Sequence, residues 1–262
     1  MARTISVVAE DPGAGALQRR TRAAVKPVVN KLWDIEVEGY ERLPAEGPAI
    51  LCPNHISFLD SAFLMFTLSR NISFVGKAEY MDSWKTKFIF PALGMIPIDR
   101  SGGEKSAAAL DAARQVLERG EFFGIFPEGT RSRNGKLHKG RTGAARLAME
   151  LDVPIYPVGI IGTDDIQPPD AKAPKLGKGC SITIGRPIKP SRYRNRGPEH
   201  LGWRSMMDEV MYEIAQMTGQ EYVHQYAGQS EAEPEVTGRV ASVSEILNDS
   251  ASPERHLAIV GG

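Results

Sequence analysis

The stretch AILCPNHISFLDS, Ala49 to Ser61, predicts a local structure whose pattern continues along the rest of the chain. AILC is short, apolar and ends before a proline, which is typical of a buried β-strand. The residues from Ser57 to Ser69 carry the apolar spacing of a helix. The stretch therefore predicts a strand, a polar loop and a helix, with His55 in the loop.

The same alternation continues along the chain. Short apolar segments, several of which end in Gly or Pro, are predicted as strands: DIEVEG, AILC, ISFVG, MIPID, FFGIFP, IYPVGII and SITIG. Helical spacing is found in residues 57–69, 104–119, 143–151 and 198–219. This pattern predicts the α/β fold class, as a single domain with a mixed, largely parallel central sheet flanked by helices.

Length and composition set the limits of this domain. The chain has 262 residues, 42% of them apolar, which is enough for one sizeable core. We divide it into a basic, partly amphipathic segment at 1–33, the globular domain at 34–225 and an acidic tail at 226–262. The tail is polar and rich in Ser and Glu, so we expect it to be disordered.

Charge, apolar runs and cysteines argue against several classes of protein. Lys plus Arg equals Asp plus Glu, 32 each, so nucleic acid is not an expected partner. The longest apolar runs have about 11 residues, whereas a membrane span needs roughly 20. We expect no transmembrane helix and no signal peptide. Cys52 and Cys180 belong to no CxxC pair, so no metal site or disulfide is predicted.

Residues 16–33 are predicted to form a helix with basic residues beside an apolar face. That face carries Leu17, Ala24, Val28 and Leu32. Pro27 costs about 3 kcal/mol in a helix interior, so we expect a kink or two short pieces. Two interpretations stay open: the helix packs on the domain, or it lies on anionic lipid.

Three polar clusters each follow a predicted strand, at 54–60, 94–105 and 126–143. In an open α/β sheet, ligands bind at the carboxyl ends of the strands. The third cluster, FPEGTRSRNGKLHKGRTG, contains glycines that let a backbone approach a ligand, and between Arg131 and Arg146 it is basic without any acid. It favours an anion, most naturally a phosphate, although a solvated surface loop has the same composition.

His55 precedes Asp60 by five residues, a spacing that does not share a helix face. Ser57 is a candidate N-cap, which makes Asp60 the third helical residue of a capping box and leaves His55 in the loop. The loop is then free to turn the imidazole toward Asp60, which would fix the tautomer while the other nitrogen takes a proton from a hydroxyl. In the alternative interpretation, Asp60 only caps the helix and His55 is an ordinary loop residue.

Four blocks together resemble those of the glycerolipid acyltransferases, the 1-acylglycerol-3-phosphate acyltransferase family. NHISFLD is similar to the family's NHxxxxD signature, and GMIPIDR to its second block, which ends in Arg. FPEGTRS is similar to the third block and VPIYPVGI, Val153 to Ile160, to the fourth. Their order and spacing match across residues 54–160, and the resemblance extends over about 35–220.

The resemblance implies the fold of that family and its reaction. A fatty acyl group would pass from acyl-CoA or acyl carrier protein to the free hydroxyl of 1-acyl-sn-glycerol-3-phosphate, giving phosphatidic acid. His55 would be the general base and Asp60 would orient it. No metal or redox cofactor is implied, because the thioester is a co-substrate. We also expect a peripheral protein on the cytoplasmic side of the membrane, since one substrate is a lipid.

The resemblance further implies the substrate contacts. Arg100 and Arg131 are expected to hold the phosphate of the acceptor, with Lys105 and Lys139 as second candidates because of their charge and position. The expected pocket residues are Asn54, Glu128, Gly129, Thr130, Pro154 and Pro157.

Several other functions stay open at this point. Within the same class, the acceptor would be glycerol-3-phosphate or another lysophospholipid. An acyl thioesterase would use the same histidine with water as the nucleophile. Cys52 would form an acyl-enzyme beside His55 if it were exposed. A lipid-binding module without catalysis is the last alternative, and the oligomeric state is not predicted.

Overall fold

The computed structural model describes residues 15–77, 94–98, 105–194 and 198–228. The elements in chain order are α1 (Ala16–Leu32), β1 (Asp34–Glu38), β2 (Ala49–Pro53), α2 (Leu59–Thr67), β3 (Ile72–Lys77), β4 (Met95–Ile98), α3 (Lys105–Glu118), β5 (Phe122–Gly124), β6 (Leu137–His138), α4 (Gly143–Leu151), β7 (Ile155–Ile161), α5 (Thr163–Ile166), β8 (Gly179–Ile184), α6 (Glu199–Thr218) and β9 (Tyr222–Val223). Short 3₁₀ turns lie at Tyr40–Arg42 and Pro190–Arg192.

The main sheet has the order β1-β8-β7-β2-β5-β3-β4. The five strands from β7 to β4 are parallel, β8 is antiparallel to β7, and β1 is parallel to β8. The predicted mixed, largely parallel α/β sheet is therefore confirmed. Because five strands run the same way, their carboxyl ends meet along one side of the sheet, which we call the carboxyl edge.

Alternate side chains of the central strand β2 pack into two cores on opposite faces of the sheet. Leu51 belongs to a cluster with Phe63 of α2, and part of α1 packs against the same cluster. Ile50 belongs to the second cluster, with Val116 of α3 and Met207 of α6. Every residue of β2 is buried, as expected of a strand covered by helices on both faces.

The helices and strands lie close to their predicted positions, with three differences. The helix α1 continues through Pro27 as a single element, so the expectation of two pieces is wrong. The helix α2 begins at Leu59, one residue later than a cap at Ser57 predicts. The strand β5 ends at Gly124 instead of continuing to Pro127. The two-residue strands β6 and β9 were not predicted, because so short a pairing leaves no periodic pattern.

The helix α1 packs on the domain through polar side chains. The buried Gln18 donates from Nε2 to the carbonyl oxygen of Ile72 at 2.8 Å. The guanidinium of Arg22 donates to the carbonyl oxygens of Ser69 at 2.6 Å and Arg70 at 3.0 Å, just after α2 ends. These bonds satisfy backbone oxygens in the loop between α2 and β3 and at the first residue of β3.

The face of α1 that was predicted to be apolar points away from the domain. The exposed fraction is 65% for Leu17 and 55% for Val28. The buried members of α1 are instead Gln18, Arg22 and Val29. Within the described residues, no helix has the length and apolar character needed to cross a bilayer.

Candidate active site

Chemically active side chains follow three neighbouring strands at the carboxyl edge. His55 lies two residues after β2, Glu128 lies in the loop after β5, and Thr163 lies two residues after β7. Because β7, β2 and β5 are adjacent and parallel, these three loops come together. The site is thus built from segments separated by about a hundred residues in the sequence.

The structure brings His55 and Asp60 together. Nδ1 of His55 lies 2.8 Å from Oδ2 of Asp60, whose side chain is fully buried. The same Oδ2 accepts the backbone N–H groups of Ile56 at 2.8 Å and Ser57 at 2.9 Å. The loop before α2 therefore wraps around the carboxylate, and this is what carries the imidazole to a residue five positions later.

Only one half of the predicted capping box is present. The Asp60 carboxylate accepts from the N–H of Ser57, as a capping box requires. The Ser57 hydroxyl, however, accepts from the N–H of Leu59 at 3.3 Å and donates to the carbonyl oxygen of Gln167 at 2.8 Å. Ser57 thus joins the start of α2 to the loop after α5.

Thr163 completes the set of donors around Asp60. Its hydroxyl donates to Oδ1 of Asp60 at 2.5 Å, and the side chain has no exposed surface. Both carboxylate oxygens therefore have partners, as a buried charge requires. Sequence reasoning missed Thr163, although a hydroxyl residue just after a predicted strand of this sheet was an available signal.

The plane of the His55 ring is held by an aromatic stack. The centroids of the His55 and Phe126 rings are 3.7 Å apart, and the ring planes differ by 17°. Phe126 in turn lies 5.4 Å from the ring of Phe74. A Cβ added to Gly124 would lie 2.1 Å from Phe74, so only glycine leaves room for this ring. The imidazole is fixed by Asp60 along its edge and by Phe126 across its face.

This arrangement gives His55 the geometry of a general base. The carboxylate of Asp60 can only accept hydrogen bonds, so Nδ1 of His55 carries the proton between them. In the neutral ring, Nε2 is then left as a proton acceptor. The His55 side chain is 17% exposed, which allows a ligand hydroxyl to approach.

Glu128 is a second buried carboxylate that holds the site together. One oxygen accepts the backbone N–H of His55 at 3.1 Å and the other accepts that of His138 at 3.0 Å. The carbonyl oxygen of His55 accepts from the N–H of Ser132 at 2.7 Å. Burial raises the pKa of Glu128 to about 7; the charge of Asp60 also raises it, whereas the two N–H donors lower it.

Asn54 is a buried bridge between strands. Its Oδ1 accepts from the N–H of Ile160 at 2.7 Å, and its Nδ2 donates to the carbonyl oxygen of Ile160 at 2.9 Å. Nδ2 also donates to Oε1 of Gln220, which follows α6, at 2.9 Å. Asn54 thus fixes the backbone before His55. Gln220 has no signal in the sequence, because its position depends on how α6 packs.

The predicted phosphate-binding residues are only partly within the described structure. Arg131 donates from Nη1 to the carbonyl oxygen of Pro169 at 3.0 Å and is half-buried. Nζ of Lys139 lies 3.1 Å from Nε2 of His224. Arg100 and the side chain of Lys105 lie outside the described residues.

The remaining predicted pocket residues divide between the two edges of the sheet. Gly129 and Thr130 are exposed in the loop after β5, at the carboxyl edge. Pro154 precedes β7 and therefore lies at the opposite edge, roughly 16 Å from the level of Asn54 at ~3.3 Å per residue. Pro157 is buried within β7, level with Cys52. The structure separates Pro154 from the site, because four residues of strand lie between.

Cys52 is not available as a nucleophile. It lies within β2 and has no exposed surface. Burial raises the pKa of its thiol well above the ordinary value, so the reactive thiolate is not formed near neutral pH. The acyl-enzyme alternative is thereby excluded.

Comparison with known proteins gives concordant results. The family model described as Acyltransferase matches residues 34–161, which contain all four sequence blocks. A probable 1-acyl-sn-glycerol-3-phosphate acyltransferase of Mycoplasma pneumoniae is 30% identical over 180 residues, covering 63% of this chain and 67% of the relative. The chloroplastic 1-acyl-sn-glycerol-3-phosphate acyltransferase LPAT1 of Arabidopsis thaliana is 28% identical over 161 residues, covering 61% of this chain and 45% of that protein.

The coverage of the relatives and the likeness to a solved structure complete this comparison. The chain spans about half the length of the curated plant relatives that it matches. The crystal structure of the 1-acyl-sn-glycerophosphate (LPA) acyltransferase PlsC from Thermotoga maritima aligns with a TM-score of 0.59 at 23% identity. The alignment covers 76% of this chain and 77% of that one, so the two share a fold.

The raised pKa of Glu128 predicts a pH-dependent stability. Its ordinary pKa is 4.5 and its folded value is about 7, so between these values the folded state binds more protons than the unfolded state. Stability from this group therefore falls as pH rises through that window and is constant above it. Relative to Glu128→Gln, the wild type should lose on the order of 1–3 kcal/mol between pH 5 and pH 8.

Urea unfolding of both proteins at several pH values measures this difference. Glu118→Gln, at an exposed position of α3, is the control and should leave the pH profile of the wild type unchanged. Parallel profiles for the wild type and Glu128→Gln would contradict the prediction.

Proposed function

This chain belongs to the glycerolipid acyltransferase family, and we propose that it transfers a fatty acyl group from an acyl thioester to the free hydroxyl of 1-acyl-sn-glycerol-3-phosphate. The observation that carries the proposal is the contact between Nδ1 of His55 and the buried Asp60, 2.8 Å long, at the carboxyl edge. The pair lies in the region that matches the family model. Relatives with names of this activity support the choice of acceptor.

His55 moves the proton in the proposed reaction. Nε2 takes the proton from the acceptor hydroxyl while the oxygen attacks the thioester carbonyl. Asp60 stabilises the resulting imidazolium through Nδ1. The tetrahedral intermediate collapses to the ester, the carbon–sulfur bond breaks, and the thiol leaves with the proton that His55 returns. The proposed reaction uses no metal or redox cofactor, because the thioester is already activated and no electrons are transferred.

The acceptor's phosphate is proposed to meet the cationic loop after β5. Arg131 and Lys139 lie on that loop, and Arg100 and Lys105 remain sequence predictions for the same role. These residues recognise a phosphate and not the rest of the acceptor, so glycerol-3-phosphate and other lysophospholipids are alternative acceptors. Acyl-CoA and acyl carrier protein are alternative donors.

The test is acyl transfer from a panel of acyl-CoAs to 1-acyl-sn-glycerol-3-phosphate, glycerol-3-phosphate and other lysolipids, with the product position determined. Transfer should be fastest to 1-acyl-sn-glycerol-3-phosphate. His55→Ala should lower kcat by about 10²–10⁴ with little change in acceptor KM, because the general base is lost. His200→Ala, an exposed residue of α6, is the control. Acyl-CoA turnover that needs no acceptor would instead indicate a thioesterase.

Thr163 is expected to position Asp60 during this reaction. Thr163→Val removes the hydroxyl and leaves the buried Oδ1 of Asp60 without its donor. We expect kcat to fall roughly 10-fold to 100-fold with both KM values nearly unchanged. Thr163→Ser keeps the hydroxyl and should recover most of the rate. Steady-state kinetics with thermal unfolding of each variant measures this, and a Thr163→Val protein with wild-type kcat would refute it.

A membrane surface is the proposed partner of the outward face of α1. Leu17 and Val28 are exposed there beside the exposed Arg20 and Lys31, and the sequence of α1 contains no acidic residue. The loop that carries Leu176, 64% exposed, is bonded to the end of this helix through the N–H of Gly177. Exposed apolar side chains among cations fit the interface of an anionic bilayer. The proposal is a peripheral protein at the cytoplasmic leaflet.

Sedimentation with vesicles tests this contact. The wild type should bind vesicles that contain phosphatidylglycerol more strongly than neutral ones, because cations and apolar side chains both contribute. The double variant Leu17→Ser/Val28→Ser should bind several-fold more weakly. A control double variant, Leu201→Ser/Tyr212→Ser, removes two exposed apolar side chains from α6 and should bind as the wild type does. Equal binding of both double variants would reject α1 as the contact.

A further inference from the structure

Arg141 lies against the turn that follows Glu128. Its backbone N–H donates to the carbonyl oxygen of Pro127 at 2.8 Å. A Cβ added to Gly129 would lie 2.9 Å from Nε of Arg141, so the side chain of Arg141 packs directly on the glycine. Gly129 also has a φ of +79°, which L side chains rarely adopt. The glycine of the FPEGTR block therefore makes room for an arginine twelve residues later.

Tyr226 holds this arginine together with a second cation. The guanidinium carbon of Arg141 lies 5.2 Å from the Tyr226 ring centroid, and Nζ of Lys139 lies 5.5 Å from it. Nζ of Lys139 also donates to Nε2 of His224, which accepts as a neutral ring. The segment after α6 reaches this loop through the pairing of β6 with β9 and a hydrogen bond from the N–H of Lys139 to Gln225.

The charge of these two residues is not balanced by a carboxylate in the part of the chain that the structure describes. Their neighbours are paired, since Lys136 contacts Glu221 at 3.0 Å and Arg133 contacts Asp170 at 3.4 Å. Arg141 and Lys139 instead both lie near the ring of Tyr226; Arg141 is exposed and Lys139 is half-buried. Two positive charges near one ring repel each other, and an anion bound between them would replace this repulsion with attraction.

We infer that Arg141, together with Lys139, binds a phosphate group of one of the two substrates beside the Gly129 turn. The inference rests on the proposed function and extends it, because Arg141 was not among the residues that the family blocks indicated. A guanidinium offers paired N–H donors to phosphate oxygens, and an ammonium adds a point charge. Glu128 joins this turn to the backbone of His55, so the phosphate would be bound next to the reacting hydroxyl or thioester.

The same chemistry has two possible sources. A lysophosphatidate or glycerol-3-phosphate acceptor carries a phosphomonoester, and an acyl-CoA donor carries nucleotide phosphates. The kinetic experiment therefore measures KM separately for 1-acyl-sn-glycerol-3-phosphate, for acyl-CoA and for acyl-pantetheine, which lacks the nucleotide. The variants are Arg141→Gln, Arg141→Lys and Tyr226→Leu.

Arg146→Gln is a matched control. Arg146 is an exposed arginine five residues further on, and its guanidinium carbon lies 5.9 Å from the Trp203 ring, so it shares the aromatic contact and lies outside the proposed site. Arg141→Gln should raise one KM about 10-fold to 100-fold at nearly unchanged kcat, and Arg141→Lys should raise it less. Arg146→Gln should leave every KM at the wild-type value.

Each result decides the inference. A rise in acceptor KM alone supports it and assigns the acceptor's phosphate. A rise in acyl-CoA KM without a change for acyl-pantetheine supports it and assigns the donor's phosphates. No rise in either KM, or a loss of kcat and thermal stability alone, overturns it, because Arg141 then only supports the loop.

Calorimetry separates this failure from failure of the proposed function. Binding of free CoA and of glycerol-3-phosphate to the wild type and to Arg141→Gln needs no turnover. A wild type that binds either probe and transfers no acyl group would reject the reaction, while weaker binding by Arg141→Gln would still support the site. A wild type that transfers normally, with equal kinetics and equal probe binding in Arg141→Gln, would reject the site alone.

Discussion

The structure around the candidate site depends on the burial of one ionised side chain. The carboxylate of Asp60 has no exposed surface, and a charge in that position is tolerated only when its oxygens are fully hydrogen-bonded. Its partners come from the loop before α2, from His55 and from Thr163 after β7. Hydrogen bonding of the Asp60 carboxylate therefore requires the loop before α2 and the residue after β7 to meet, and the same carboxylate orients the imidazole of His55.

Glu128 fixes the loop after β5 by accepting backbone N–H groups, as Asp60 fixes the loop after β2. Both of its oxygens accept backbone N–H groups, one from His55 and one from His138. Its pKa is raised to about 7, which shows that burial costs more than these two donors recover. The unfavourable burial of Glu128 occurs where its side chain joins the backbone of His55 to the cationic loop at His138. Destabilising groups of this kind are commonly found at functional sites.

The sequence predicts those parts of the molecule that leave a local signal. Strands such as AILC are short continuous apolar runs and the apolar face of α6 is periodic, so the sheet composition and the α/β class follow from them. The contact of His55 with Asp60 was also within reach, because both residues lie in one loop and helix start. Thr163 had only its place just after a predicted strand as a signal, because its role depends on β7 lying next to β2. Gln220 had none, because its role depends on where α6 ends.

The inward face of α1 shows a different limit of sequence reasoning. Apolar spacing left open whether Leu17 and Val28 face the domain or a lipid surface, and the buried positions are Gln18, Arg22 and Val29. The polar side chains are buried because carbonyl oxygens in the loop after α2 and at the start of β3 need donors. Periodicity reports which residues are apolar, and it does not report which backbone groups elsewhere need partners.

The way the two buried carboxylates are neutralised also explains the charge of the site. Asp60 and Glu128 are stabilised by N–H groups, a hydroxyl and one imidazole, and among the described residues no lysine or arginine contacts either carboxylate. Arg131 binds a carbonyl oxygen, and Arg141 lies on an aromatic ring. If arginines had paired with these carboxylates, the loop would be neutral and an anionic substrate would have to break ion pairs in order to bind. Neutral donors inside the site leave the cations of this loop available for the proposed phosphate, so a buried acid and the proposed anion-binding surface can lie a few residues apart on one loop.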